Sequence, residues 1–206
     1  MLTVMLDKVA QLCRHPKFED IHLSIGRVAT LEEVKNIESE IGIEFPQRLK
    51  TLFMETALAV EFEWHLNDEH PVKITGQDIY WGGGRLWSLL KAGELLNNHK
   101  MWATDERPFW HGKFPVMQFA NADMLALDTN SEEERLAYLN HNDDAEETNS
   151  FMFDCSLDEF LHDWLTLGCP GPEAWILELF SASDTRRLNL GGENAKEWLA
   201  TFKIDL

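Results

Sequence analysis

Covalent cross-links, membrane spans and catalytic signatures are all scarce in this chain. Its 206 residues include three cysteines, Cys13, Cys155 and Cys169, an odd number with no C-x-x-C spacing. Such a set supplies neither a disulfide framework nor a four-cysteine zinc site, and reduced thiols are expected. No apolar run approaches the roughly 20 residues that a membrane-crossing helix needs. The opening MLTVMLDKVAQLC mixes acid and base among its apolar residues and lacks a basic leader and a small-residue cleavage site, so it reads as a helix and not as a signal peptide. A cytoplasmic protein is the expectation. Positive charge is scarce too. Eighteen Lys and Arg face 36 Asp and Glu, a formal net charge of −18 at pH 7. A surface this negative repels nucleic acid and anionic head groups, and it speeds encounter with a basic partner.

Chemistry finds no foothold. Glu63, His65, Asp68 and His70 crowd a short stretch, but H-E-x-x-H is absent and acids and histidines are frequent here anyway. No metal and no cofactor are expected. There is no G-x-S-x-G elbow, and Cys155 with His162 reads as a strand end beside a helix. Gly82–Gly84 lacks the G-x-x-x-x-G-K-[ST] pattern and reads as a sharp turn. Carboxylates are too many for any pair to stand out as acid and base. A protein that is not an enzyme is the expectation.

Local structure is written more clearly. Thr30 and Glu33 have the spacing of a capping box, and Leu31, Val34, Ile37 and Ile41 form an apolar stripe behind it. Gly42 suits a left-handed stop, with Ile43 folding back on the cap. Pro46 opens a second helix whose buried side is Leu49, Leu52 and Phe53. Residues 2–13 give a further amphipathic helix, through Leu2, Met5, Leu6, Val9, Leu12 and Cys13. Val60, Phe62, Trp64 and Leu66 alternate with polar residues as a half-buried strand. Short strands follow at Val72–Thr75 and Ile79–Trp81, then a weak helix over Ala92–Met101. Phe114–Phe119 and Met124–Asp128 form a hairpin around Asn121-Ala122-Asp123, with strands at Leu136–Asn140 and Phe151–Phe153 beyond. Ser156 and Glu159 make a second capping box. Helical patterns recur at Glu173–Phe180 and Glu193–Phe202. Strands flanked by helices, without regular β-α-β alternation, predict an α+β fold with one antiparallel or mixed sheet of about five to six strands and extra N- and C-terminal helices.

Thr30, Glu33, Val34, Ile37, Glu38, Gly42, Ile43, Phe45 and Pro46 match the pattern [ST]-x-x-E-[IV]-x-x-[IL]-E followed by G-[IV]-x-[LF]-P. That pattern resembles the opening of the SUKH superfamily, in particular the branch named after the fungal Smi/Knr regulators of cell-wall synthesis. FPVMQFANADMLALDTN (114–130) is similar to the family's strand pair, and SFMFDCSLDEFLHDWL (150–165) to its closing strand and helix. Where the family often has Asn-Gly after the second helix, this chain reads METALAVEFEW. The resemblance covers about 29–167. It implies a single SUKH-like domain over 1–206, with helical extensions at 1–28 and 168–206.

For function the resemblance implies a bacterial immunity protein that neutralises a polymorphic toxin, often a nuclease, by stoichiometric binding. The charge fits, because a nuclease presents a basic groove. Acids concentrate between Asp123 and Glu159, where Arg135 is the one cation in sequence. The partner-binding candidates are Glu132, Glu133, Glu134, Asp143, Asp144, Glu146 and Glu147, with Trp102 and Trp110 as aromatic anchors flanking ATDERPF. The alternative is a regulatory scaffold or small-ligand module of the Smi/Knr type, using Trp81, Gly83 and Arg85.

Overall fold

The computed structural model describes residues 9, 17–67, 71–143, 149–182 and 186–202. An N-terminal helix over 2–13 therefore lies outside the described residues, apart from Val9, which is helical and buried. The fold is α+β. Seven strands form one antiparallel sheet in the order β1-β2-β5-β6-β7-β8-β9, and β3 and β4 form a separate two-stranded hairpin. The strands are β1 (Phe18–Ile25), β2 (Ala59–Leu66), β3 (Val72–Ile74), β4 (Gln77–Ile79), β5 (Trp81–Ser88), β6 (Lys113–Phe119), β7 (Met124–Asp128), β8 (Leu136–Leu139) and β9 (Phe151–Phe153). The sheet exceeds the predicted size chiefly through β1. Its mixed polar sequence reads as a short extended piece, yet it pairs with β2 from Phe18 to Ile25.

Among the described residues, Val9 aside, six helices accompany the strands: α1 (Leu31–Ile41), α2 (Gln47–Glu55), α3 (Ala92–Trp102), α4 (Leu157–Thr166), α5 (Ala174–Leu179) and α6 (Glu193–Phe202). Both capping boxes form. The Glu33 amide donates to the Thr30 hydroxyl at 3.2 Å while the Thr30 amide donates to the Glu33 carboxylate at 2.8 Å, and Ser156 and Glu159 repeat the exchange. Gly42 closes α1 at φ 69°, and the Ile43 amide donates to the Glu38 carbonyl. Two details differ from the expectation. Pro46 is the residue before the first helical turn of α2, and Leu31, expected in the apolar stripe, is 52 % exposed.

Two cores lie on opposite faces of the sheet. The larger gathers Val34, Leu49, Phe53, Phe62, Trp64, Tyr138, Phe160, Trp164 and Trp198. The smaller holds Trp110, Met124, Ala126, Ala137 and Leu139, roofed by Leu95, Trp102 and Phe109 from α3 and the 3-10 turn Pro108–Trp110. Strands β7 and β8 are thus covered on both faces, which is why MLALD and LAYL show no polar alternation.

Gly82–Gly84 is no turn. The three glycines lie in the first half of β5; all three pair with β2 on one edge, while on the other Gly84 pairs with β6 and Gly82 with the chain following α4. The Gly83 amide donates to the Cys169 carbonyl at 2.9 Å, the Gly171 amide donates to the Trp81 carbonyl at 3.2 Å, and Gly82 bridges Pro170. A Cβ on Gly82 would stand 2.2 Å from the Cys169 oxygen, and one on Gly83, at φ 83°, would stand 1.8 Å from the Phe62 oxygen. The same segment receives three indole N–H groups: Trp198 donates to Leu167, Trp64 to Gly168 and Trp164 to Pro170. Gly83→Ala is expected to lower unfolding free energy by roughly 2–4 kcal/mol, since clash and left-handed backbone add. Gly42→Ala, at φ 69° with nothing within 4 Å of the new Cβ, lowers it by about 1 kcal/mol. Urea unfolding of the two variants measures the contrast.

Candidate functional site

The acids that crowd the sequence part company in space. Glu132 and Glu133 are exposed in the loop before β8. Glu134 accepts from the Leu157 amide at 2.8 Å, capping α4, with Arg48 at 4.0 Å. Asp143 is 2 % exposed, its carboxylate accepting from the Asn149 amide and the Ser150 hydroxyl, so it is a loop fastener and not a docking group. Asp144, Glu146 and Glu147 lie outside the described residues, as do Asp68 and His70. Cations distant in sequence meet the other acids of the run: Arg48 pairs with Asp158, Arg187 with Glu159 at 2.9 Å, and Lys113 with Asp128 at 3.1 Å in a largely buried pair. Arg135 answers Asp154 at 3.4 Å. The expectation of one cation against the whole run is therefore corrected.

The aromatic anchors divide as well. Trp102 is half-buried, with the Arg107 guanidinium 4.5 Å above its ring and His141 edge-on at 5.9 Å. Trp110 is fully buried in the smaller core, beneath His99 at 5.6 Å between ring centroids, and offers nothing to a partner. Trp81, Gly83 and Arg85 are each engaged within the chain. The Gly83 amide is bonded to Cys169, Arg85 is held by Glu61 and Glu94, and Trp81 stacks on His65 while its indole donates to Glu173 at 3.1 Å. Among the described residues, no group of three or more His, Cys, Asp or Glu is placed to hold a metal. The thiols of Cys155 and Cys169 are both buried, and burial pushes the Cys155 thiol up to about 12, the wrong direction for a nucleophile.

A cleft of about 530 Å³ opens where the β6–β7 turn, the start of the β8–β9 connection and α5 converge. Asn121, Asp123, Asn140 and Asn142 form one wall; Glu173, Trp175 and Glu178 form the other, with Arg186 at the edge. Asp123 organises the first wall. It is 1 % exposed, and its carboxylate accepts from the His141 amide at 2.8 Å, lies 2.7 Å from the His141 Nδ1, and receives the Tyr138 hydroxyl and the Asn121 amide group. Burial, then the charge of Asp123, pushes the Tyr138 hydroxyl far above its ordinary value, so it stays protonated as a donor. Across the cleft Glu173 accepts from Trp81 with one oxygen, and its other oxygen is buried without a donor. Burial pushes the Glu173 carboxyl up; a hydrogen bond from its own backbone amide and the Trp81 indole oppose this, and the charge of Asp123 adds to it. Trp175 is 39 % exposed at the rim.

The cleft residues escaped sequence reading for a physical reason. Asp123 looks like one acid in a run, and only the fold brings Glu173 and Trp175, some fifty residues later in the chain, across from it. The sole local signal was a tryptophan two residues after a glutamate, just past the break at Cys169-Pro-Gly-Pro172.

His99 gives this side of the sheet a pH dependence. Burial lowers its pKa from the ordinary 6.5, a backbone hydrogen bond with Trp110 opposing this and the charge of His111 adding to it. The unfolded chain then takes up the proton first. The contribution of neutral His99 is present above about 6.5 and is lost as pH falls below it. The unfolding free energy of the native chain should fall relative to that of His99→Leu as pH is lowered from about 7.5 to 5.5; parallel curves would contradict the assignment. Compared with known proteins, the chain matches no family model and no curated protein.

Proposed function

We propose that this chain is a non-enzymatic protein-binding module for a basic partner, and that it is an immunity protein of the SUKH type which neutralises a nuclease-type toxin in the cytoplasm by stoichiometric binding. The observation that carries the reading is the fate of the positive charges. Arg27, Arg48, Lys50, Lys73, Arg85, Lys91, Lys113, Arg135 and Arg187 all form ion pairs within the chain. Those pairs neutralise themselves locally and leave the carboxylates that have no cation, including the exposed Glu132 and Glu133, to set the outward field of a chain with net charge −18. Such a field attracts a groove built for phosphate. No helix among the described residues is long and apolar enough to cross a membrane.

The loop acids act in encounter more than in residence, because exposed charges steer association and are screened by salt. Isothermal titration with a basic nuclease domain encoded beside this gene is expected to give one-to-one binding that weakens steeply between low and physiological salt. In stopped-flow association, Glu132→Gln with Glu133→Gln should slow the on-rate by about two- to fivefold at low salt and leave the off-rate nearly unchanged. Binding that ignores salt would remove the electrostatic reading.

A further inference from the structure

We infer that the open edge of β1 receives an extended strand of the partner whose side chains are alternately basic and apolar, added to the seven-stranded sheet. The inference rests on the protein-binding reading above and names the surface and the form of the partner segment.

The two edges of the sheet differ. β9 is three residues long, and the Arg186 guanidinium lies 4.7 Å above its Phe151 ring. β1 runs for eight residues, Phe18–Ile25, with β2 on one side and no strand on the other among the described residues. It contains no proline or lysine, the residues that commonly blunt an edge, and its one register shift lies at the start, between Phe18 and Asp20. The ladder decides which backbone groups are spare. The Gly26 amide donates to the Ala59 carbonyl at 2.8 Å. Alternation along the register then turns Ser24 and His22 toward β2, and turns the N–H and C=O groups of Ile21, Leu23 and Ile25 outward. An extended segment pairs with such groups through its main chain, and its alternate side chains supply the selectivity.

The faces of β1 set what those side chains must be. Ile21 and Leu23 pack half-buried on the large core, opposite Trp64 and Phe62, and Ile25 is 46 % exposed. Every second side chain of an added strand lies beside this apolar row. The other face carries Asp20, His22 and Ser24, with Glu63 and His65 next to them on β2, all exposed. Glu61 on that face is held by Arg85 and Lys91, whereas Glu19, Asp20 and Glu63 have no cation among the described residues. Neighbouring strands stand about 4.8 Å apart, so a Lys or Arg on the added strand lies beside Asp20 and about 10 Å from the backbone of Glu63, a gap that two long side chains close. A second copy fits poorly, because it sets one acidic β1 against another between chains of net charge −18.

The test uses the whole chain and the blocked peptide acetyl-Lys-Val-Lys-Val-Lys-Val-Lys-amide, followed by titration at low salt and by amide hydrogen exchange. Bound peptide should slow exchange at Ile21, Leu23 and Ile25 by at least about tenfold and leave His22 and Ser24, already bonded to β2, nearly unchanged. The same peptide N-methylated at its valines keeps its charge but cannot join a ladder, and should bind at least about tenfold more weakly. The counterpart with glutamate in place of lysine should not bind. Asp20→Asn with Glu63→Gln should weaken the lysine peptide about three- to tenfold, with thermal melting confirming the fold. Equal binding of the methylated peptide reduces the attraction to net charge and overturns the assignment, as does exchange that stays fast at Ile21, Leu23 and Ile25. Protection of those amides in the chain alone, rising with its concentration, gives the edge to a second copy and overturns it too. The outcome is separable from that of the wider reading. A basic nuclease domain that binds while those three amides still exchange fast removes the edge from the interface and leaves protein binding standing. A domain that does not bind at all removes the wider reading, and the peptide titration still decides the edge.

Discussion

Gly82, without a side chain, allows the chain after α4 to run beside β5 at hydrogen-bonding distance, while Gly83 and Gly84 allow β2 and β6 to approach from either side. The docking of Cys169–Gly171 on Trp81–Gly83 fixes where α5 begins. That in turn brings Glu173 within reach of the Trp81 indole and sets Trp175 opposite the Asn121–Asp123 turn. A cleft that owes its two walls to residues far apart in sequence thus depends on a close backbone approach which a Cβ on Gly82 would block. The large core depends on it as well, since Trp64, Trp164 and Trp198 all direct their N–H groups at the same short segment.

Charge is organised by a different rule. Exposed ion pairs contribute little to stability, typically under about 1 kcal/mol each. Their effect here is on pattern. Arg48 ties α2 to the start of α4 through Asp158, Lys50 ties α2 to the end of α1 through Glu38, and Arg187 ties the segment before α6 to α4. With these three cations engaged in bracing one element against another, they add little to the outward field of a chain with net charge −18. On the function proposed above, the same distribution that repels phosphate-bearing molecules suits a partner built to bind phosphate.

What was legible in the sequence is what depends on neighbours along the chain. The Thr30–Glu33 and Ser156–Glu159 boxes, the left-handed stop at Gly42 and the alternation of Val60, Phe62, Trp64 and Leu66 are all decided within a few residues, and each appears in place. The α+β class followed from the order of such pieces. What depends on distant neighbours was not legible. Gly82–Gly84 has the composition of a turn and becomes a strand only because other segments run beside it. Trp110 sits beside a polar loop in sequence and under α3 in space. Asp143 belongs to an acidic run by composition, yet the Asn149 amide and Ser150 hydroxyl draw it inward. Charge counted along the chain likewise gave no notice of Arg48, Lys113 and Arg187 arriving from elsewhere.

Every carbonyl from Leu167 to Pro170 has a donor brought from another element: the indoles of Trp198, Trp64 and Trp164, and the amide of Gly83. Consecutive acceptors matched one by one to fixed donors form a vernier, in which a shift of one position misaligns all of them together. The link between α4 and α5 is accordingly a part whose length cannot drift. Descendants of this chain could rewrite the loop around Glu132 freely while this short span stays the same size.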